Sequence, residues 1–123
     1  MIKISDKLIR QVAAKARNSK RKRLNYNFHK SYNEKVQRLL NVAYPGTYIR
    51  PHKHENPDKV EVFIILNGKV KIIVDNEEDY LEKGDAVLIP VKAVHQMINK
   101  SQEDIDYIAL GISTNDSGKT VKA

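Results

Sequence analysis

The chain has 123 residues, of which 22 are Lys or Arg and 15 are Asp or Glu, so its formal net charge is +7. Apolar residues make up 41%, which suits one folded domain and is too many for a disordered chain. No apolar run approaches the roughly 20 residues of a membrane span, and no leader-like segment opens the sequence, so we expect a cytoplasmic protein without membrane association. The absence of cysteine excludes disulfides, thiolate metal ligands and cysteine nucleophiles.

Positive charge is concentrated in the first third of the chain. Residues 1–45 contain 12 Lys or Arg and 2 Asp or Glu, whereas residues 46–123 contain 10 and 13. The Lys-Arg-Lys-Arg run at 20–23 could attract the phosphate groups of nucleic acid or of a phosphorylated ligand. Because no nucleic-acid recognition motif accompanies the run, we expect no nucleic-acid partner and favour a nearby anionic ligand.

An amphipathic helix is the first predicted element, and it begins after Ser5. Ser5 is a favoured N-cap residue. Apolar residues then recur at helical spacing at Leu8, Ile9, Val12, Ala13 and Ala16. Such a stripe has to be buried, so it packs either on the rest of the domain or on a second subunit. We assign residues 1–24 to this basic helix and a linker.

Short β-like runs make up most of the remaining chain. Residues 18–27 break the helical pattern. Residues 31–34 have the spacing of a capping box, but residues 36–44 suit a strand better, so we predict a turn that runs into a strand. Further strands are predicted at 47–52, 60–66, 69–74, 86–89, 94–99 and 105–111. Asn67-Gly68 predicts a two-residue type I′ hairpin, since that turn needs positive φ at both central residues.

A succession of predicted strands without intervening helices indicates a mainly β sandwich or barrel that comprises residues 25–114. Residues 115–123 are expected to form a loose tail. The lining of the barrel is predicted from apolar residues that alternate with polar neighbours, namely Phe63, Ile65, Val87, Ile89 and Met97.

Three histidines and one glutamate on the β-rich part form a candidate metal site. His52 and His54 are two residues apart in a predicted strand, so their side chains point to the same face. Glu61 opens the next strand, and His95 lies on a later one. Imidazole and carboxylate ligands suit a divalent transition metal such as Mn, Fe, Co, Ni or Zn, and four of them leave positions open for water or substrate.

Two segments resemble the conserved motifs of the cupin superfamily. They read Gly46-x5-His52-x-His54-x6-Glu61-x6-Gly68 and Gly84-x5-Pro90-x-Lys92-x2-His95-x3-Asn99. The gap between the histidine pair and Glu61 is longer than usual, which makes Glu55 a local competitor for Glu61, and Lys92 stands where a glycine is usual. The resemblance implies a small jelly-roll β-barrel with a short N-terminal α-helix.

A closer resemblance, to the WbuC-type cupin-fold metalloprotein family, covers about residues 25–99. It is carried by Asn-Tyr-Asn-Phe-His at 25–29, Val-Gln-Arg at 36–38, Pro-Gly-Thr-Tyr-Ile-Arg-Pro-His-Lys-His at 45–54 and Asp-Lys at 58–59. The resemblance implies a metal ion on His52, His54, Glu61 and His95. It also implies a link to bacterial O-antigen and capsular polysaccharide synthesis, but no particular reaction.

Three further residues are candidates for binding or catalysis. Arg50 shares a strand face with His52, so it either clamps a carboxylate or phosphate or pairs with an acidic neighbour at the barrel mouth. His29 either acts as an acid or base or hydrogen-bonds the backbone. Tyr26 either stacks on a sugar or donates a proton, or it is a wall residue with a satisfied hydroxyl.

The first functional hypothesis is a metal-dependent isomerase, epimerase, hydrolase or oxygenase that acts on a small anionic substrate such as a sugar or sugar nucleotide. The second is a non-catalytic module that binds such a ligand. The third is a basic scaffold that docks on nucleic acid or an acidic protein. We expect a homodimer, since single-domain cupins commonly associate through their sheets.

Overall fold

The computed structural model describes residues 1–31, 33–47 and 59–113. These residues form one helix and eight strands, which are α1 (Asp6–Asn18), β1 (Arg23–Asn27), β2 (Val36–Ala43), β3 (Lys59–Asn67), β4 (Lys69–Val74), β5 (Glu77–Glu82), β6 (Ala86–Ile89), β7 (His95–Ile98) and β8 (Ile105–Ser113). The described helix is neither long nor apolar enough to cross a membrane. The prediction of a mainly β fold with one short N-terminal helix is confirmed.

The strands form two antiparallel sheets that face each other. The larger sheet has the order β1-β2-β8-β3-β6, and the smaller one has the order β5-β4-β7. Apolar side chains fill the space between the sheets, and four of the five predicted lining residues, Phe63, Ile65, Ile89 and Met97, are buried there. The fifth, Val87, is partly buried against the same cluster. The chain crosses between the sheets several times, for example from β3 to β4 and from β6 to β7. Two facing antiparallel sheets connected in this way make a jelly-roll barrel.

Helix α1 packs on the outer face of the five-stranded sheet. Ser5 caps it as predicted, since its Oγ accepts a hydrogen bond of 3.2 Å from the amide of Leu8. The predicted apolar stripe of the helix is buried against Leu40 and Val42 of β2. The question that the sequence left open is therefore answered: the stripe rests on the domain itself.

The predicted hairpin at Asn67-Gly68 is wrong. Strand β3 belongs to the larger sheet and β4 to the smaller one, so this dipeptide is a corner between sheets. Only Gly68 has a positive φ, of 90°, and its backbone passes so close to the carbonyl of Asp104 that a Cβ would lie 2.6 Å from that oxygen. Glycine is needed here for a close approach between backbones.

Two strands were absent from the sequence prediction, and both carry polar side chains where alternation would show apolar ones. In β5 only Leu81 is buried, because this strand forms an edge of the smaller sheet and is otherwise exposed. In β1, which the prediction treated as part of a break, Arg23 and Asn25 face a cavity. The predicted turn into β2 and the strands at 69–74 and 86–89 are confirmed.

Part of the predicted organisation falls outside the described residues. Most of the strand predicted at 47–52 and the tail predicted at 115–123 belong to this part. Residue 114 lies there too, and the division of the chain into three units, at residues 24 and 114, stays a prediction.

Candidate metal centre and ligand cavity

A cavity of about 250 Å³ lies between the two sheets. Its walls come from β1, β2, β3, β7 and β8, so both sheets and the segment after the helix contribute. The polar and charged residues among its described lining are Arg21, Arg23, Asn25, Asn41, Glu61, His95 and Tyr107. A concave site in which several polar groups converge beside apolar side chains is typical of a small-molecule site.

Glu61 and His95 meet inside this cavity. Oε1 of Glu61 lies 3.5 Å from Nε2 of His95, and their side chains are only 13% and 3% exposed. Glu61 extends from β3 in the larger sheet, whereas His95 begins β7 in the smaller one. The stacking of the sheets thus joins two residues that belong to different motifs of the sequence.

The tautomer of the neutral His95 ring follows from the contact that Nδ1 makes. Nδ1 lies 3.2 Å from the carbonyl oxygen of Ala93, which can only accept a hydrogen bond. In the neutral ring Nδ1 therefore carries the hydrogen, and Nε2 keeps its lone pair on the side of Glu61. A histidine that ligates a metal is usually held in this way by a carbonyl or carboxylate behind it.

The Glu61–His95 pair fits a shared divalent metal ion. Ligand atoms that each lie about 2.1 Å from one ion are about 3.0–3.4 Å apart in octahedral or tetrahedral geometry, which is close to the observed 3.5 Å. Among residues 1–31, 33–47 and 59–113, no group of three or more His, Cys, Asp or Glu could hold a metal. The two other predicted ligands, His52 and His54, lie outside these described residues.

Tyr107 and Asn41 form one wall of the cavity. They are cross-strand partners on β8 and β2, so their side chains emerge on the same face. Burial raises the pKa of Tyr107 to about 12, and the negative charge of Glu61 acts in the same direction. A hydrogen bond from Asn41 acts in the opposite direction. The phenol therefore stays protonated at neutral pH and can donate a hydrogen bond.

Arg21 and Arg23 lie at the edge of the cavity and supply its positive charge. Arg23 opens β1, and Arg21 belongs to the turn that connects α1 to β1. Burial lowers the pKa of Arg23, and repulsion by Arg21 lowers it further. The guanidinium group is nevertheless charged at neutral pH, because its ordinary pKa is far above 7.

Lys59 is a buried cation next to the cavity that the sequence reading missed. It is 6% exposed and shares a strand face with Glu61, two residues further along β3. Burial lowers the pKa of Lys59, while the charge of Glu61 raises it. The aliphatic part of this side chain lies beside Gly111, where a Cβ would make an ordinary van der Waals contact of 3.7 Å with Cδ of Lys59.

The three remaining candidates have different positions. His29 is buried, and its Nδ1 accepts a 3.1 Å hydrogen bond from the amide of Arg38, which is the backbone contact considered as one alternative. Tyr26 is 45% exposed and packs against Phe28, with a distance of 5.3 Å between ring centroids. It follows Asn25 in β1 and so points to the face opposite the cavity. Arg50 lies outside the described residues.

Several residues that line the cavity belong to no sequence motif that would have marked them as functional. Arg23 and Asn25 are two residues apart in β1 and so share a face, but the uninterrupted basic run before them hides this spacing. Asn41 and Tyr107 occur in strands that were predicted, but nothing in the sequence showed that they are cross-strand partners.

Solved structures with similar folds identify the architecture. The chain is similar to the TT1209 protein from Thermus thermophilus, with a TM-score of 0.71, 23% identity, and coverage of 91% of this chain and 98% of that chain. A Cupin 2 conserved barrel domain protein from Salinispora arenicola gives a TM-score of 0.67 at 19% identity, covering 93% and 89%. KdgF from a Halomonas species gives 0.64 at 18% identity, covering 76% and 81%. The fold is the cupin jelly roll, with a polar cavity between its two sheets.

The chain belongs to a family described as a domain of unknown function, DUF6016, whose model matches residues 4–85. A curated relative, the uncharacterized protein MJ1618 of Methanocaldococcus jannaschii, is 34% identical over 64 residues. The match covers 51% of this chain and 50% of the relative, so the chain spans about half the length of that protein.

Proposed function

We propose that this protein is a metal-dependent enzyme that acts on a small anionic substrate such as a sugar or sugar nucleotide. The observation that carries the proposal is the buried Glu61–His95 pair, 3.5 Å apart, in a cavity whose mouth bears Arg21 and Arg23. Buried acid and base groups beside a concave pocket are a common arrangement in active sites.

The ion is proposed to be held by His52, His54, Glu61 and His95. Neutral imidazoles and one carboxylate suit Mn, Fe, Co, Ni or Zn. A divalent ion bound there would polarise a substrate oxygen or lower the pKa of bound water. The hydrogen bond from Nδ1 of His95 to the carbonyl of Ala93 would keep the imidazole oriented for this role.

Other residues of the cavity bind the substrate and limit its contact with water. The arginines at the mouth attract an anion, and the neutral phenol of Tyr107 donates a hydrogen bond to a substrate oxygen. Apolar neighbours such as Phe63 and Met97 limit the access of water, which strengthens these electrostatic interactions. The resemblance to WbuC-type proteins supports a place in bacterial surface polysaccharide synthesis, and we include that context in the proposal.

Elemental analysis tests the metal site directly. Wild-type protein, purified without a metal-binding tag, should contain about one divalent metal ion per chain, and His52→Ala and His95→Ala should lose it. His29→Asn is the matched control, because it changes another histidine but keeps an acceptor for the Arg38 amide, so it should retain the metal. A metal-free wild type after reconstitution, or full metal in His95→Ala, would overturn the proposal.

Turnover separates an enzyme from a binding module. The metal-loaded protein is incubated with sugar phosphates and sugar nucleotides, and the products are followed by NMR. We expect conversion that depends on Glu61 and His95. Saturable binding without conversion of any bound compound would instead identify the non-catalytic module.

We also propose that the protein is a homodimer. Helix α1 covers only part of the outer face of the larger sheet, and an apolar region beside it is left accessible. Val36 and Ile112 are cross-strand partners in this region, and each is about 40% exposed. Leu88 on β6 is 69% exposed. Light scattering should give twice the mass of the chain, and a monomer at micromolar concentration would contradict the proposal.

A further inference from the structure

The basic run at 20–23 divides into two pairs with different environments. Arg21 and Arg23 line the cavity that contains Glu61 and His95. Lys20 is exposed and is not among the described lining residues. The run is therefore more than a uniformly solvated basic face, since both of its arginines line one cavity.

The turn that carries the two arginines is held in a defined conformation. Lys22, between them, has a φ of 56°, which is unfavourable for a residue with a side chain and persists only where the surroundings impose it. Its carbonyl accepts hydrogen bonds from the amide of Tyr44 at 2.8 Å and from Oγ1 of Thr47 at 3.0 Å. The backbone that carries Arg21 and Arg23 is thus held in place before any ligand arrives.

The charge of this pair matches a dianion. Arg21 and Arg23 bring two positive charges to the same cavity, which attract an anion. A phosphate monoester carries about −1.5 to −2 charges at pH 7, whereas a carboxylate carries one. Guanidinium groups also present paired donors that fit phosphate oxygens.

Asn41 adds a requirement for a hydroxyl group. Its Oδ1 is buried in the cavity wall and has no hydrogen-bond partner among the described residues. A buried acceptor of this kind is satisfied by a ligand donor, and a sugar hydroxyl is such a donor. The cavity of 250 Å³ is slightly below the usual range of about 300–1,000 Å³ for ligand pockets. Its size favours one sugar over a whole sugar nucleotide.

We propose that Arg21, Arg23 and Asn41 form the recognition site for a sugar phosphate. The phosphoryl group lies at the two arginines, and the hydroxyl groups face Asn41 and the Glu61–His95 pair. This inference rests on the proposed function, because it names the substrate class of the same cavity.

Binding of three probes to metal-loaded protein, followed by calorimetry, tests the arginine pair. Glucose 1-phosphate and inorganic phosphate should bind, and acetate should bind at least about tenfold more weakly. Arg21→Ala and Arg23→Ala should each raise the Kd for inorganic phosphate about tenfold or more, which corresponds to one lost charge-assisted hydrogen bond. Lys20→Ala is the matched control and should stay within about twofold of wild type.

The outcomes that overturn the proposal are distinct. An equal loss in Lys20→Ala would mean that only net positive charge matters, and acetate binding as tight as phosphate binding would contradict the dianion assignment. Arg21 is exposed, so Arg21→Glu should remain folded even if an Arg23 variant does not. Unchanged phosphate binding by folded Arg21→Glu would also overturn the proposal.

Asn41→Ala tests the hydroxyl contact separately. It should raise the Kd for glucose 1-phosphate about fivefold or more and leave the Kd for inorganic phosphate within about twofold. Equal effects on both probes would contradict the role of Asn41. If wild type holds no metal but the arginine variants lose phosphate, the proposed function fails and this inference stands. If wild type holds metal but the arginine variants bind phosphate as tightly as wild type, this inference fails and the proposed function stands.

Discussion

The 3.5 Å contact between Nε2 of His95 and Oε1 of Glu61 connects the two sheets of the barrel. Strands β3 and β7 do not pair with each other, so the contact spans the interior and is not part of one hydrogen-bonded ladder. An ion that binds both side chains would tie the sheets together. Metal binding and stability of the fold should therefore be coupled.

The first prediction concerns this coupling. At a free metal concentration of 100 times the Kd, the native state should gain about 2.7 kcal/mol of unfolding free energy. The gain should be absent in Glu61→Gln and His95→Ala. Thermal unfolding with and without chelator measures it, and Glu77→Gln, an exposed carboxylate on β5, is the control that should behave like wild type. A metal-induced shift that persists in His95→Ala would contradict the ligand assignment.

The second prediction concerns pH and Asp106, which is fully buried on β8. Burial and a shared hydrogen bond with Asp104 raise the pKa of Asp106 to about 6, although Asn67 and Arg10 act in the opposite direction. The folded state therefore holds this proton more tightly than the unfolded state, where the pKa is about 3.9. The stabilising contribution is complete below about pH 4 and is lost as pH rises through about 6.

Asp106→Asn tests this interpretation. The amide imitates the protonated acid, since its oxygen can accept from Asn67 and its nitrogen can donate to Asp104. At pH 7.5 the variant should be about 1–2 kcal/mol more stable than wild type, and the difference should shrink toward pH 4.5. Urea unfolding across this pH range measures the difference, with Glu103→Gln as a surface control. A difference that does not change with pH would refute the assignment.

The third prediction compares two glycines that both have a φ near 90°. A Cβ at Gly68 would lie 2.6 Å from the carbonyl oxygen of Asp104, whereas a Cβ at Gly84 would have nothing within 4 Å. Gly84→Ala should cost about 1–2 kcal/mol for the left-handed backbone alone. Gly68→Ala should cost about 1–3 kcal/mol more, because the corner between the sheets has to shift. Equal losses in chemical denaturation would show that the corner is not tightly packed.

The fourth prediction concerns Lys92, which stands where the second motif usually has glycine. Its φ is 65°, and the turn is closed by a 3.2 Å hydrogen bond from the amide of Ala93 to the carbonyl of Pro90. The backbone thus keeps a conformation that favours glycine. Lys92→Gly should raise the unfolding free energy by about 0.5–1 kcal/mol. Lys92→Ala keeps the strain and serves as the control, so a gain of the same size in this variant would contradict the explanation.

Local patterns predicted much of the fold. The helix followed from Ser5 and a 3.6-residue apolar period, and the strands at 69–74 and 86–89 followed from apolar runs between turns. The two missed strands have one cause. Strand β1 faces a polar cavity and β5 is an exposed edge, so neither shows the alternation that marks a strand against an apolar core.

The sequence alone determined the chemistry of the candidate centre, because imidazole and carboxylate ligands are properties of residue type, and Glu61 and His95 could be named from their motifs. Only the tertiary structure decided which groups meet. It placed Asn67-Gly68 at a corner between sheets, brought Glu61 within reach of His95, and turned Arg21 and Arg23 toward the same cavity. Such contacts depend on how two sheets stack and on a turn fixed by distant hydrogen bonds, and neither is a function of local sequence.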